Sequence, residues 1–229
     1  MQNGFYNMDC MEGMKEFPDN HFDLAIVDPP YGIGKFTYDA HTDPKKGRVK
    51  NKKKYSDNYT WNENIPQQKY FDELKRISKK RIVWGANYYN CFENDNGALV
   101  WYKGNMTKTI SHCEIASLSF QTKVSYVYID WQSGFFRQMK EGEQIHPCQK
   151  PVALYRWLLE NYAKPGDLIL DTHVGSASSL IACEALGFEY VGFELDSEYF
   201  TAAQKRLADW RSMPLFDNAP NNDQLDLAI

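Results

Sequence analysis

Phe22-Asp23-Leu24-Ala25-Ile26-Val27-Asp28-Pro29-Pro30-Tyr31 is an apolar run that ends abruptly in a rigid polar turn. Six residues of that bulk, apolar on both alternating faces after the first turn of the pattern, read as a strand buried in a parallel sheet. The tetrapeptide Asp28-Pro29-Pro30-Tyr31 therefore sits at a strand's C-terminal end, where open α/β sheets hold their ligands. Two prolines fix φ, remove two backbone donors and keep Asp28 extended, leaving a carboxylate and a proline carbonyl as acceptors. That geometry suits a primary amine. The exocyclic amino group of a base can give one hydrogen to Asp28 and the other to the Pro29 carbonyl while its ring stacks on Tyr31.

Upstream, Gly4 to Met8 is a short strand candidate, followed by Asp9-Cys10-Met11-Glu12. Asp9 reads equally as a helix cap, with Glu12 three residues on, and as an acceptor at a strand end. Downstream, Gly32 and Gly34 suit a loop beside a site, and a long polar stretch runs from Phe36 to Ile65. Its centre carries Lys45, Lys46, Arg48, Lys50, Lys52, Lys53 and Lys54 without an acid. Such a run is often only a solvated face; so close to the Asp28 turn, it is expected to contact phosphate. Tyr55, Tyr59 and Trp61 follow it and offer stacking surfaces for an unpaired base.

Strand and helix then alternate. Pro66 opens a helical pattern with Tyr70, Leu74 and Ile77 on one face. Arg81 to Gly85, Ala98 to Tyr102 and Glu114 to Phe120 read as strands, the pattern of a parallel sheet. From Gln121 to Ile145 the periodicity dissolves into polar and aromatic residues, with Arg137 and Lys140 as further candidate phosphate contacts; a surface excursion or hairpin reads equally well. His146-Pro147-Cys148-Gln149-Lys150-Pro151 leads into a helix with Tyr155, Leu158, Leu159 and Tyr162 at helical spacing. Leu168 to Asp171 is a short strand, and Thr172 to Ser179 turns into a helix stopped by Gly187, a cradle for a nucleotide or cofactor. The strand Tyr190 to Glu194 ends in an acid 23 positions after Asp171, about where a ribose-binding carboxylate belongs in a βαβ unit. Asp196 or Ser197 caps a last helix with Phe200, Ala203 and Leu207 inward. Residues 214–229 read as a flexible acidic tail.

With 229 residues, 43% of them hydrophobic, the chain can bury one full core, so residues 1–213 are expected to form a single domain with insertions at 36–61 and 121–145. No apolar run reaches the roughly 18 residues of a membrane span and the N-terminus lacks the pattern of a signal peptide; a cytoplasmic protein is expected. Five scattered cysteines without a Cys-x-x-Cys pair suggest neither a disulfide framework nor a metal site. A net charge of −4 confines any nucleic-acid binding to local patches.

In order and spacing, Asn7 to Cys10, Asp28 to Tyr31, His146 to Pro151, Asp171 to Ser178 and Gly192 to Glu194 resemble the DNA amino-methyltransferases that use S-adenosylmethionine, in the permuted beta arrangement with the catalytic block first. The resemblance covers nearly the whole chain to about residue 210. It implies a Rossmann-like α/β fold with a seven-stranded, mostly parallel sheet whose final strand pairs antiparallel. It also implies methyl transfer to N6 of a flipped adenine in double-stranded DNA. Asp28, Pro29, Pro30 and Tyr31 would be the catalytic residues. The cofactor would be held by Asp9 and Cys10 near its adenine, by Glu194 and Leu195 near its ribose, and by Asp171, His173, Gly175, Ser176 and Ser178 at its methionine end, with Cys148, Lys150 and Pro151 closing over it. No metal is implied. The family's usual cofactor loop reads Asp-Pro-Phe-x-Gly-Ser-Gly-Thr, whereas Thr172, His173 and Ala177 stand here for its proline, phenylalanine and second glycine.

Three other readings compete. Cytosine presents a similar amine at N4, although Asp at the head of the tetrapeptide goes in this family with adenine and Ser with cytosine. A nicotinamide-dependent oxidoreductase would want Gly-x-Gly-x-x-Gly after its first strand, which Asp171 to Ser178 lacks. A catalytically silent DNA-binding relative is the third. RNA as substrate, monomer versus homodimer, and the recognition sequence stay open at this level.

Overall fold

The computed structural model describes residues 1–34, 62–93, 97–104, 111–131 and 141–213. The basic run Lys45 to Lys54, Arg137, Lys140 and the acidic tail lie outside the described residues. The elements in chain order are β1 (Gly4–Asn7), α1 (Cys10–Met14), β2 (Phe22–Val27), α2 (Gln68–Ile77), β3 (Ser78–Trp84), α3 (Ala86–Tyr89), β4 (Ala98–Tyr102), β5 (Cys113–Leu118), β6 (Val124–Tyr128), α4 (Val152–Tyr162), β7 (Leu168–Asp171), α5 (Ser178–Leu186), β8 (Glu189–Glu194) and α6 (Ser197–Arg211).

All the strands among the described residues join one sheet in the order β1-β8-β7-β2-β3-β5-β4-β6. β2 lies near its middle, parallel to both β7 and β3, and its apolar run is explained by two covered faces. Leu24 and Ile26 pack with Leu154 and Leu158 of α4 and Ala182 and Cys183 of α5. Ala25 and Val27 point the other way, against Met14 of α1 and Tyr70, Leu74 and Ile77 of α2. The helical spacing of those three α2 residues is thus the stripe that buries, and each is at most 3% exposed.

Two features differ from the expected sheet. It has eight strands among the described residues, the addition being β6 at the edge, parallel to β4. Only Val127 of β6 is buried, while Val124, Tyr126 and Tyr128 face outward, so the segment carries almost no inward hydrophobic signal to read. The antiparallel strand is β5, paired that way with both β3 and β4, whereas the chain's last strand, β8, runs parallel to its neighbours. β4 and β5 are joined by residues 103–112, too few for the crossover that a parallel return requires.

The connection from β2 runs to β3 on one side, and the connection from β7 runs to β8 on the other. The carboxyl ends of β2 and β7 therefore face a crevice where the winding direction reverses, the place such sheets use for ligands. Residues some 140 positions apart in sequence meet there, Asp28 from β2 and Thr172 to Ser176 from β7, and both line one cavity.

Candidate active site

Asp28 ends β2 with its side chain only 13% exposed. Its Oδ1 accepts from the Tyr31 hydroxyl at 2.7 Å, and its Oδ2 accepts from the Lys150 ammonium. Lys150 also contacts Glu114 Oε2 of β5 at 2.9 Å and the Tyr31 hydroxyl at 3.2 Å, while Glu114 Oε1 takes the ammonium of Lys103. Burial raises the Asp28 carboxyl, with Lys150 only partly countering it. Burial pushes Glu114 up as well, but the ammoniums of Lys150 and Lys103 together overcome it and hold the group at about 2. Asp28 is therefore the carboxylate of the cluster that takes up a proton first.

The turn after Asp28 is held from two sides. Asn62, 3% exposed, accepts from the Tyr31 amide at 3.0 Å and donates to the Gly34 carbonyl at 3.0 Å. The Tyr89 hydroxyl donates to the carbonyls of Pro29 and Pro30, which leaves each carbonyl a second lone pair. Tyr31 stacks on Tyr88, with ring centroids 4.8 Å apart. Gly85 has φ +76, and a Cβ there would lie 2.4 Å from the Tyr31 ring. The aromatic face expected for a base is thus already in use by Tyr88, and a base stacking on Tyr31 must displace one of these contacts.

On the cofactor-loop side, Asp171 Oδ1 accepts from the His173 amide at 2.9 Å and Oδ2 from the Ser179 hydroxyl. Asp171 is 2% exposed and does not line the cavity; it braces the turn from behind. Burial raises it to about 7, against about 3.9 in an unfolded chain. A carboxyl raised on folding contributes stability that is fully present below about pH 4 and is lost as pH rises through about 7. Burial lowers His146 to about 3 and His173 to about 4, and these act in the opposite sense, losing stability as pH falls below about 6.5. The Asp171→Asn variant should therefore gain on wild type in urea midpoint between pH 4 and 7; a parallel pair of profiles would remove Asp171 as the cause.

The loop's departures from the family pattern have partners here. Thr172 Oγ1 lies 2.7 Å from the Tyr70 hydroxyl and 2.9 Å from His173 Nδ1, so a polar Thr-His pair is accommodated by a tyrosine of α2. Ala177 is fully buried with φ +62 at the N-cap of α5, a left-handed conformation that costs a non-glycine residue roughly 1–2 kcal/mol. Ala177→Gly is accordingly expected to raise the melting temperature by about 2–4 °C, and an unchanged or lower value in thermal unfolding would show that the buried methyl outweighs the strain. Arg206 of α6 holds the turn from outside, donating to the Ser176 carbonyl at 2.7 Å and the Ser178 hydroxyl at 2.8 Å while paired with Glu141.

Glu194, at the end of β8, has both oxygens fixed by backbone donors, Gly175 N on Oε2 and Asp196 N on Oε1, each at 2.9 Å. Asp9 caps α1 by accepting from Met11 N at 2.7 Å and also lines the cavity. Glu12 pairs with Lys15 instead of completing a capping box. The cavity is about 700 Å³ and runs from Asp9, Glu194 and Gly175 to Asp28, Pro29, Pro30 and Tyr31. Burial raises the thiols of Cys10 and Cys148 to about 12, so neither is a nucleophile at neutral pH. Among the described residues, no group of three His, Cys, Asp or Glu side chains is placed to hold a metal ion.

Residues 22–205, most of the chain, match the DNA methylase family of N6 and N4 enzymes. The chain belongs to this family. A putative methylase of Escherichia coli (strain K12), YubD, is 25% identical over 221 residues and covers 89% of both chains. The type II methyltransferase M.HpaI of Haemophilus parainfluenzae is 24% identical over 86% of this chain and 72% of its own. Among solved structures, M1.HpyAVI in complex with SAM has a TM-score of 0.55 at 20% identity, covering 88% of this chain and 98% of its own. The cytosine-N4-specific PvuII DNA methyltransferase has 0.58 at 15%, covering 92% of each. These likenesses establish a shared fold.

In this methylase the residues expected at the site divide into two groups. Asp9, Cys10, Asp28, Pro29, Pro30, Tyr31, Cys148, Lys150, His173, Gly175, Ser176, Glu194 and Leu195 line the cavity. Asp171, Ser178 and Pro151 do not: Asp171 and Ser178 support the loop through the bonds given above, and Pro151 is the N-cap of α4, one position before the helical turn in which its sequence placed it. Asn62, Tyr88, Tyr89, Lys103 and Glu114 were not anticipated. Each acts on the methylase's Asp28 turn from a distant element, and no local periodicity or spacing signals such a contact.

Proposed function

We propose that this DNA methylase transfers a methyl group from S-adenosylmethionine to the N6 amine of an adenine flipped out of double-stranded DNA. One observation carries the reading: the Asp28 carboxylate and the Pro29 carbonyl open onto the same cavity as Glu194, Gly175 and Asp9, so amine acceptors and cofactor ligands share one space. The residues fit the cofactor. Glu194 is a carboxylate fixed for two hydroxyls, His173 is neutral and so does not repel a sulfonium, and the volume lies within the usual 300–1,000 Å³ of ligand pockets. Asp at the head of the tetrapeptide favours adenine within the family resembled.

S-adenosylmethionine, when bound, supplies a methyl group on a positively charged sulfur. The lone pair of adenine N6 is delocalised into the ring, so the chain must hold the amine where it can pyramidalise. Asp28 and the Pro29 carbonyl do this by accepting its two hydrogens, and bringing the reactants together supplies much of the remaining acceleration. As the N–C bond forms and the S–C pair returns to sulfur, positive charge develops on the amine beside the Asp28 carboxylate. One N–H proton then passes to Asp28, whose burial raises its affinity for it. A base inside a duplex cannot reach the cavity, so flipping costs a few kcal/mol, offset by phosphate contacts from the basic run, while stacking on Tyr31 exchanges for its contact with Tyr88.

The test is transfer of labelled methyl from S-adenosylmethionine to unmethylated duplex DNA, followed by nucleoside mass spectrometry. N6-methyladenine is the expected product. N4-methylcytosine would keep the mechanism and overturn the base assignment, and absence of transfer to DNA, with cofactor bound, would overturn the reading.

A further inference from the structure

Lys150 has three ammonium hydrogens and three acceptors around them: Asp28 Oδ2, Glu114 Oε2 and the Tyr31 hydroxyl. Its donors are spent on the protein, which leaves none for a ligand carboxylate or phosphate. Its side chain is 4% exposed, and its charge lies 5.5 Å from the Trp84 ring centroid and 5.6 Å from that of Tyr31. Glu114 is anchored in turn by Lys103, whose charge lies 5.1 Å from the Trp101 ring centroid. Two carboxylates and two ammoniums thus alternate in a buried, neutral row that ends at Asp28.

We propose that Lys150 and Glu114 are positioning residues for methyl transfer: the Lys150 ammonium, held in place by Glu114, keeps the Asp28 carboxylate charged and aimed at the incoming amine. The inference rests on the methyl-transfer reading and adds to it two residues that act through Asp28. A charged Asp28 is needed because only the ionised form accepts from the amine and opposes its developing positive charge. The other groups facing the row do not substitute for Lys150. Tyr31 after β2, Tyr89 of α3 and Tyr155 of α4 are raised by burial and stay neutral. Cys148 is likewise a neutral thiol, and His146 is uncharged. Asp171 of β7 adds only negative charge. Removal of the Lys150 charge leaves Asp28 and Glu114 as two buried carboxylates with Lys103 on the Glu114 side, so the proton that relieves them goes to Asp28.

The experiment compares wild type with Lys150→Met, Glu114→Gln and the double variant, reading methyl transfer against pH and the protonated-carboxyl infrared band of Asp28 at neutral pH, taken as the part of the signal lost on Asp28→Asn in the same background because Asp171, raised to about 7, contributes its own. Lys150→Met is expected to lose transfer about 100-fold at pH 7, to move the acid limb up by at least about one unit, and to show the infrared band. Adding Glu114→Gln removes the competing carboxylate, weakens the band without abolishing it, because the burial of Asp28 remains, and recovers about tenfold of the activity. Glu114→Gln alone keeps the Lys150 cation and should move the acid limb down, a readout that survives if Lys150→Met fails to fold. Unmoved limbs, or no band and no recovery, would overturn the proposal. If wild type transfers no methyl, the methyl-transfer reading fails by itself, and the band still reports whether Lys150 keeps Asp28 ionised.

Discussion

Asp28→Ala is expected to reduce methyl transfer by about 10²–10³-fold, the usual loss when one preorganised group facing developing charge is removed, with S-adenosylmethionine binding within about threefold of wild type. The separation follows from geometry. Asp28 lies at the end of β2, whereas the groups expected to hold the cofactor come from the β1, β7 and β8 ends of the sheet. The fold should tolerate the change, because Lys150 keeps Glu114 at 2.9 Å and Tyr31 keeps a weaker contact to Glu114 at 3.3 Å. Asp28→Asn preserves an acceptor and loses the charge, so an intermediate loss, about tenfold, would assign the remainder to the carboxylate's charge. Single-turnover transfer with calorimetric cofactor binding makes the measurement. Full activity in Asp28→Ala would remove the tetrapeptide from the chemistry.

Glu194→Ala should weaken S-adenosylmethionine and its demethylated product alike, by about 10²-fold, since a charge-assisted hydrogen bond is worth about 1.5–3 kcal/mol and this carboxylate also aligns the loop by accepting from Gly175 N. Burial raises the Glu194 carboxyl, so wild-type affinity should fall as pH drops through the acid range, when the ionised acceptor is lost, and the variant should lack that limb. Equal losses for both ligands would place the contact away from the transferred methyl. Calorimetric titration across pH tests this; unchanged affinity would shift the hydroxyl contacts to Asp9 or Asp196, which line the same cavity.

Local pattern made much of this protein legible. β2 announces itself because both its faces are covered, α2 because its buried stripe repeats at helical spacing, and α5 because Gly187 stops it with φ +75. The acids Asp9, Asp28 and Glu194 could be named because each lies at or within two residues of a strand's end, and in an open sheet a strand's carboxyl end is already an address. Tertiary structure decided the rest. β6 is an edge strand with one inward residue, so it has no periodicity to read. Lys150 reads in sequence as part of a segment closing over the cofactor, yet its ammonium is consumed by Asp28, Glu114 and Tyr31. Asn62, Tyr89 and Glu114 reach the Asp28 turn from positions 31 to 83 residues away in the chain. Sequence alone determined most of the strands, turns and helices, because those preferences act over a few residues; the edge strand β6 and the partners of each charged side chain were decided only when the sheet order brought distant strands together.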